Sequence, residues 1–554
     1  MLVAERSGFA GSTAGERHQD RTASFAGYVT NLTDLRAALS LPTDAGMEQM
    51  LLAGWRNWSA ELFARLEGAF SIAIHDGADL HLYRHPSGLM GLFHWRAEDG
   101  RVVFASGLDA FCGALGAPRR LDRPALHAYL RFLDLAAPAT IYEGVQAVEP
   151  GQRLHWVGVA QVRDDERPAA PSERPPADFD AAADRLDTRL GHAVADAMPQ
   201  WYPRSAAFLS GGVDSALLCA VAARQRPDLT ALTVGFDGAP FDEAPVAARI
   251  ASHLGLHHEV LRFSRQDYVG AFDRLARGMD QPMADPATMA TVLAFDHCKE
   301  RFDVVFDGTG ADEAVGGMPP RHVRLAVGVG SLVPGMLRRW LVRGMRHVPP
   351  LAGYTPILDF EHPAETLMRW RGFTRVEIEE LCDERVSLED TQFHRTFARF
   401  PRRAHYERYS ALLNAMPCDR LTQAIRLTGL RVRFPYCARD VDGFLRQLPT
   451  EWRHVPGQPK RILRELLARY VPRELWDGPK HGFDFPLHDF LSGEDYALVR
   501  RHVLDGRWLN RDVLRPEVVR RYALAYIGGD RRLMFRVWAL VVLGAWLDAH
   551  EELI

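Results

Sequence analysis

Ala206-Ala-Phe-Leu-Ser-Gly-Gly-Val-Asp-Ser215 decides the reading of this chain: an apolar run, a glycine-rich turn, and then the helix-compatible stretch ALLCAVAARQ. The order is strand, loop, helix. Two glycines let backbone amides approach a phosphate group with no side chain between. Ser210 and Ser215 add hydroxyl donors, and the following helix presents its positive N-terminus to an anion. Asp214 would repel phosphate on its own, so a Mg²⁺ ion between the two is the natural explanation. A tight turn with Asp214 as N-cap is the plainer alternative, but the whole hexapeptide in this setting points to pyrophosphate binding by Leu209, Ser210, Gly211, Gly212, Val213, Asp214 and Ser215. It is not a Walker loop, because no Gly-Lys-Ser/Thr follows.

Outward from this loop, apolar strands alternate with helix-length amphipathic segments: Ala231–Phe236, then a helix around Ala244–Leu254. That alternation predicts a parallel, doubly wound α/β sheet. A second strand and glycine-rich loop, Val304-Val-Phe-Asp-Gly-Thr-Gly-Ala-Asp312, carries another carboxylate. The C-terminal ends of neighbouring strands in such a sheet converge on one crevice, so Asp214 and Asp312 are placed to hold one Mg²⁺. From about Tyr354 onward the sequence reads mainly helical.

The proline-rich, charged stretch Arg163–Asp178 reads as a linker. It divides the 554 residues into an N-terminal domain over 1–162 and a C-terminal domain over 179–554. The N-terminal part is strand-like, with Ala69–His75, Leu80–Tyr83 and Arg101–Ala105 separated by Asp-Gly turns. Hydrophobic residues make up 47% and charged residues 25%, and the net charge is −4, so no global electrostatic case exists for a nucleic-acid partner. Six cysteines lie far apart with no Cys-x-x-Cys pair, which suits a reducing compartment. The N-terminus lacks a signal peptide's apolar core, and the longest apolar run, Val537–Leu547, is too short to span a bilayer. The expectation is a cytoplasmic protein with no membrane span.

These segments together resemble the asparagine synthetase family of the ATP-pyrophosphatase superfamily. Thr233-Val-Gly-Phe236 with Asp242-Glu243 resembles its adenine-side strand and acidic pair, implying Val234 and Phe236 as ATP contacts. Asp280–Pro286 resembles its Asp-x-Pro-x-x-Asp-Pro loop, and Asp307–Gly317 its Gly-Glu-Gly-Ala-Asp-Glu-x-x-Gly-Gly signature, adding Gly308 to the ATP site and Asp312 to the metal site. Lys460–Arg464 and Pro479–Phe483 resemble its two C-terminal lysine motifs. The resemblance implies that Lys480 is the essential active-site lysine, stabilising the oxyanion formed when an amine attacks an acyl-adenylate, with Lys460 on the phosphate side. The N-terminal domain is similar to the family's αββα, Ntn-hydrolase-like glutaminase, carried by Leu66–Ile74, Ser87–Phe93, Phe104–Gly107 and Glu149–Leu154.

Two departures from the family pattern shape the functional expectation. Glutamine hydrolysis needs a cysteine directly after the initiator methionine, and Leu2 stands there, with Cys112 the first thiol. Thr309 replaces the glutamate of the Gly-Glu-Gly signature, Arg431 that of a Leu-Glu-Val-Arg motif, and Gln423 aligns with the catalytic glutamate of β-lactam synthetases. Thr309 therefore joins Lys480 and Lys460 as a catalytic candidate. Family members without the cysteine include lasso-peptide macrolactam cyclases and β-lactam synthetases, which use an amine of the substrate itself. A peptide α-amine, with a pKa near about 8, attacks without a strong base, which favours ATP- and Mg²⁺-dependent lasso-type cyclisation of a precursor peptide, with a leader-peptide protease or recognition protein as partner. β-Lactam formation, asparagine formation from free ammonia and a degenerate scaffold are the alternatives. The arginine-rich segment Arg321–His347, without an acidic residue, reads as a surface for a peptide or protein partner; its Gly and Pro residues speak against a membrane-surface helix. Tyr409, Arg426 and His481 are further pocket candidates.

Overall fold

The computed structural model of the chain describes residues 10–12, 21–77, 79–113, 120–157, 160–164, 176–198, 202–236, 242–316, 325, 328–345, 348, 351, 355–360, 365, 372–386, 388, 391, 393, 420–455, 458–478 and 485–551. Its N-terminal part carries β1 (Ala10–Ser12), β2 (Thr22–Val29), β3 (Gly68–His75), β4 (Asp79–Arg84), β5 (Phe93–Arg96), β6 (Val102–Ala105), β7 (Gln146–Ala147), β8 (Arg153–Val157) and β9 (Ala160–Asp164). They form two antiparallel sheets, ordered β2-β3-β4-β8-β9 and β1-β6-β5-β7. The Asp-Gly pairs punctuate these strands as expected, with Gly77 and Gly100 at φ +98° and +87°.

Three apolar layers make this part αββα. Leu80, Leu82, Leu92, Val102, Phe104, Leu154 and Trp156 fill the space between the sheets. Met50, Leu51 and Trp55 of the helix Met47–Trp58 cover the outer face of the five-stranded sheet beside Phe70 and Ile72. Leu126, Tyr129 and Leu130 of the helix Arg123–Phe132 join Phe93, Val103 and Ala105 on the other side. The strand β9 runs to Asp164, and Asp178 N-caps the helix Phe179–Ala197 by accepting from the Ala181 N–H at 2.8 Å. Both ends of the proline-rich stretch are thus structured; residues 165–175 lie outside the described residues.

The C-terminal part is built on a five-stranded, all-parallel sheet of β10 (Ser205–Phe208), β11 (Thr230–Val234), β12 (His257–Leu261), β13 (Val304–Phe306) and β14 (Val432–Arg433). The order is β12-β11-β10-β13-β14. The chain winds outward from β10 in one direction and then returns to its other side, so the strand order reverses between β10 and β13. Side chains alternate across the sheet as the pleat requires. Ala206, Leu232 and Val305 face one core, while Ala207, Ala231, Val304 and Phe306 face the helices Phe179–Ala197, Val213–Ala223 and Ala244–Leu254.

The first of those cores runs without a break into the N-terminal part, joining Phe93 and Tyr129 to Leu232, Phe272 and Trp538. The run Val537–Leu547 is the middle of the helix Met534–Ala549, buried on every side, as an apolar helix must be. Tyr129 donates to the Ala539 carbonyl at 2.9 Å, and the Trp538 and Trp546 indoles each donate at 3.0 Å, to Ala284 and Met279. Among the described residues no helix is long and apolar enough to cross a membrane.

Candidate active site

The strand β10 ends at Phe208, and the chain crosses Leu209–Gly212 to open the helix Val213–Ala223. Leu209 is fixed from the neighbouring strand: its N–H donates to the Leu232 carbonyl at 2.8 Å, and its carbonyl accepts the Thr233 hydroxyl at 2.6 Å. Inside the loop the Ser210 N–H donates to Ser215 Oγ at 3.0 Å, the two hydroxyls lie 2.8 Å apart, and the Gly212 N–H donates to Ser210 Oγ at 3.1 Å. The serines therefore tie the loop to the first turn of its own helix. Gly212 occupies the N-cap without a side-chain cap, and the first helical turn faces the end of the sheet.

The second loop lies directly on the first. A Cβ at Gly308 would come within 3.2 Å of the Ser215 nitrogen and 3.4 Å of the Asp214 carbonyl carbon, so any larger residue would need the loops to give by a few tenths of an ångström. Gly310, at φ +104°, caps the short helix Ala311–Val315, and its N–H donates to Glu313 Oε2 at 2.9 Å. This convergence sits where the strand order reverses, the position at which open α/β sheets bind ligands.

Lys460 joins the two loops. Its ammonium donates to Asp214 Oδ2 and also meets Asp312 Oδ1 at 2.6 Å. The residue is in a left-handed conformation, φ +58°, immediately before the helix Arg461–Ala468. Burial opposes its charge, but the Asp214 and Asp312 carboxylates outweigh that and hold the lysine pKa well above its ordinary value. One cation thus touches both carboxylates, which tests the fit of a divalent ion: two hard oxygen donors converge on a single point, the donor set that Mg²⁺ takes. Tyr436, fully buried, donates to the Asp214 carbonyl at 3.0 Å and fixes the backbone of that donor.

Other predicted residues sit differently. The Thr309 hydroxyl and N–H both donate to Asp307 Oδ1, at 2.6 and 2.8 Å, so its side chain closes the loop's own turn. Val234 ends β11 and is buried. The Phe236 ring lies among Tyr268 and Phe485, with centroids 6.4 and 6.0 Å away, and its N–H donates to Asp242 Oδ1 at 3.3 Å. Lys480, His481 and Tyr409 lie outside the described residues. Arg426, a pocket candidate, binds Asp109 Oδ1 at 3.1 Å and Asp280 Oδ1 at 2.7 Å where the two halves of the molecule meet. The physical reason is that Asp280 is wholly buried and accepts the Leu108 N–H at 2.7 Å; Arg426 is the counter-charge it needs, and burial still pushes its carboxyl up to about 6. Gln423 is fully buried and accepts from the Asp280 N–H at 3.5 Å.

Sequence reasoning missed Tyr436 and the Thr233 hydroxyl as supports of the phosphate loop. Thr233 opens a matched motif and carried a signal; Tyr436 lies just beyond the motif that holds Arg431 and carried none.

Comparison with known proteins adds an independent finding. Residues 185–548 match the profile of the asparagine synthase family, and residues 15–166 match that of a glutamine amidotransferase domain. The chain is 26% identical to asparagine synthetase (glutamine-hydrolyzing) 1 of Bacillus subtilis, over 95% of this chain and 85% of that protein. It is 22% identical to asparagine synthetase (glutamine-hydrolyzing) 3 of the same organism, over 50% and 47% of the two chains. Among solved structures, the NH3-dependent NAD synthetase of Campylobacter jejuni matches 25% of this chain and 60% of its own, at 16% identity and a TM-score of 0.19, too low to bear on the argument.

Proposed function

Because the chain belongs to the asparagine synthase family and is an ATP-dependent carbon–nitrogen ligase, we propose that it closes a peptide macrolactam, as lasso-peptide cyclases do. A side-chain carboxylate of the peptide attacks the α-phosphorus of ATP, and pyrophosphate leaves. The peptide's own N-terminal amine then attacks the acyl carbon, the bond to AMP breaks, and the amine gives up a proton.

The observation that supports the adenylation half is the single ammonium of Lys460 set between Asp214 and Asp312. Those two carboxylates would hold Mg²⁺, which supplies charge neutralisation to the departing pyrophosphate. The loop Ser210–Ser215 receives the phosphates at a helix N-terminus. Lys460 supplies a second positive charge on the phosphate side of the same carboxylates. Lys480 is assigned the oxyanion that forms as the amine attacks.

What favours an amine of the same molecule over ammonia is the chemistry of the substituted positions. The Thr309 hydroxyl is taken up by Asp307, and Gln423 is neutral and buried, so neither supplies a carboxylate base. A peptide α-amine is partly unprotonated at neutral pH, and holding it beside the acyl-adenylate replaces a bimolecular encounter. The peptide precursor is the substrate, and a leader-peptide protease or recognition protein is the partner that would deliver it.

The test is to incubate the protein with ATP, Mg²⁺ and leaderless peptides bearing Asp or Glu at the ring-closing position, and to follow products by mass spectrometry. Loss of one water from the peptide with equimolar AMP is the expected result. Asparagine formed from aspartate and ammonia, with the peptides untouched, would replace this reading with ammonia-dependent synthesis.

A further inference from the structure

The helix Gly335–Met345 is inverted relative to an ordinary surface helix. Its buried residues are Arg338 and Val342. Arg338 turns inward, donating to the Gly330 carbonyl at 3.1 Å and the Phe360 carbonyl at 2.9 Å, with its guanidinium 4.0 Å over the Phe360 ring. The large apolar side chains point the other way. Leu332 is 84% exposed, Met336 78% and Trp340 69%. Leu325, Val329, Leu337, Val348 and Leu351 are exposed as well, so eight of the ten large hydrophobic residues that face solvent among the described residues lie between 325 and 351. Single exposed hydrophobes are ordinary, but a contiguous set marks a surface that something else covers.

Charge narrows what covers it. From Arg321 to Leu358 the sequence has six arginines and neither aspartate nor glutamate. Arg339 and Arg343 flank Trp340 on the described helix, the latter 3.8 Å from Glu379; Arg321, Arg324 and Arg346 lie outside the described residues. Of the glycines and proline that the sequence sets against a surface helix, only Gly344 falls within this one beyond its first residue, in its last turn. Pro334 precedes it and its carbonyl accepts the Arg338 N–H at 3.0 Å, while Gly335 is its first residue.

We infer that residues 328–345 form a peripheral membrane-docking element, whose apolar side chains enter the headgroup region of a bilayer while Arg339 and Arg343 meet anionic lipid phosphates. Three observations select a lipid surface over a protein partner. Leu332, Met336 and Trp340 each expose more than two thirds of their surface, which a soft interface covers without a matching pocket. An aromatic residue, bulky aliphatics and arginines on one short helix are the composition of interfacial helices. Arg339 and Arg343, the arginines this helix does not turn inward, are complementary to anionic lipid and would be attracted to it within a Debye length. The element lies on the membrane and does not cross it.

The experiment is flotation of the full chain with phosphatidylcholine vesicles, with and without phosphatidylglycerol. The expected result is on the order of tenfold more bound protein with the anionic lipid, falling as salt rises. The triple variant Leu332→Ser, Met336→Ser, Trp340→Ser should lose binding to both vesicle types while keeping ATP–pyrophosphate exchange, which also shows that it folds. The pair Arg339→Gln, Arg343→Gln should keep weak binding but lose most of the preference for phosphatidylglycerol, and it carries the test should the triple variant misfold. Equal flotation with both vesicle types, or triple-variant binding equal to that of the original chain, would overturn the inference. So would a dimer that the triple variant dissociates in a protein that does not float, since the face would then be a protein contact.

Discussion

Lys460 shows how much a single residue settles in this site. Its ammonium lies between two carboxylates from loops almost a hundred residues apart, Asp214 and Asp312, and it is itself buried. Lys460→Met would remove the cation between a largely buried Asp214 and a half-exposed Asp312, at a solvent-screened cost of about 1 kcal/mol in stability without Mg²⁺. Added Mg²⁺ should return part of that loss, and should raise the melting temperature of the variant more than that of the unaltered chain. Thermal unfolding with and without the ion measures both, and equal Mg²⁺ responses would speak against a shared cation position. Gly308 gives a second residue-scale prediction. Gly308→Ala places a methyl within 3.2 Å of the Ser215 nitrogen and must push the two loops apart. A displacement of that kind costs up to about tenfold in kcat/KM for ATP, with little change in fold by circular dichroism. The sequence motifs pointed to Asp214, Asp312 and Lys460 because each carries chemistry in a recognisable string. They did not show that Lys460 bridges the two aspartates, because its left-handed backbone and its partners are set by contacts 148 and 246 residues away.

At the scale of elements, the alternation of apolar runs and amphipathic segments made the parallel sheet legible, since its strands are buried on both faces and read as continuous hydrophobic text. The edge strand Val432–Arg433 was not legible, being two residues long and fixed only by pairing with β13. The cross-strand pair His81 and His155, on β4 and β8, was likewise invisible in the sequence. Their rings stack with centroids 4.2 Å apart against Trp55. Burial, and then the neighbouring His155, push the His81 pKa down from 6.5 to about 4, against the pull of Asp76. His81 is therefore neutral in the fold at pH values where an unfolded chain would protonate it. The unfolded state binds more protons between those values, so the contribution of His81 is fully present above about 6.5 and is lost as pH falls towards 4. His81→Gln should make the decline in stability over that range shallower. Parallel denaturation curves for the two proteins across the range would contradict the assignment.

Across the whole molecule, the linker that the sequence suggests between two domains conceals how tightly the halves are joined. Asp280 takes the backbone N–H of Leu108, Gln281 that of Ile141, and Tyr28 that of Phe434. Arg131 of the N-terminal part sits between Asp359 and Glu365, all three buried. One apolar core runs through both parts. None of these contacts has a local signature, because each joins positions more than a hundred residues apart. They predict a single cooperative calorimetric transition for the full chain; two well-separated transitions would show that the halves melt independently.

ATP–pyrophosphate exchange with leaderless candidate peptides, run beside Asp214→Ala, is the decisive measurement of whether a peptide carboxylate is activated at Asp214 and Asp312. Exchange that depends on the peptide and on Mg²⁺, and that disappears in Asp214→Ala, is the expected result. Exchange that ignores the peptides and responds instead to aspartate or a small β-amino acid would rule out peptide activation at this site.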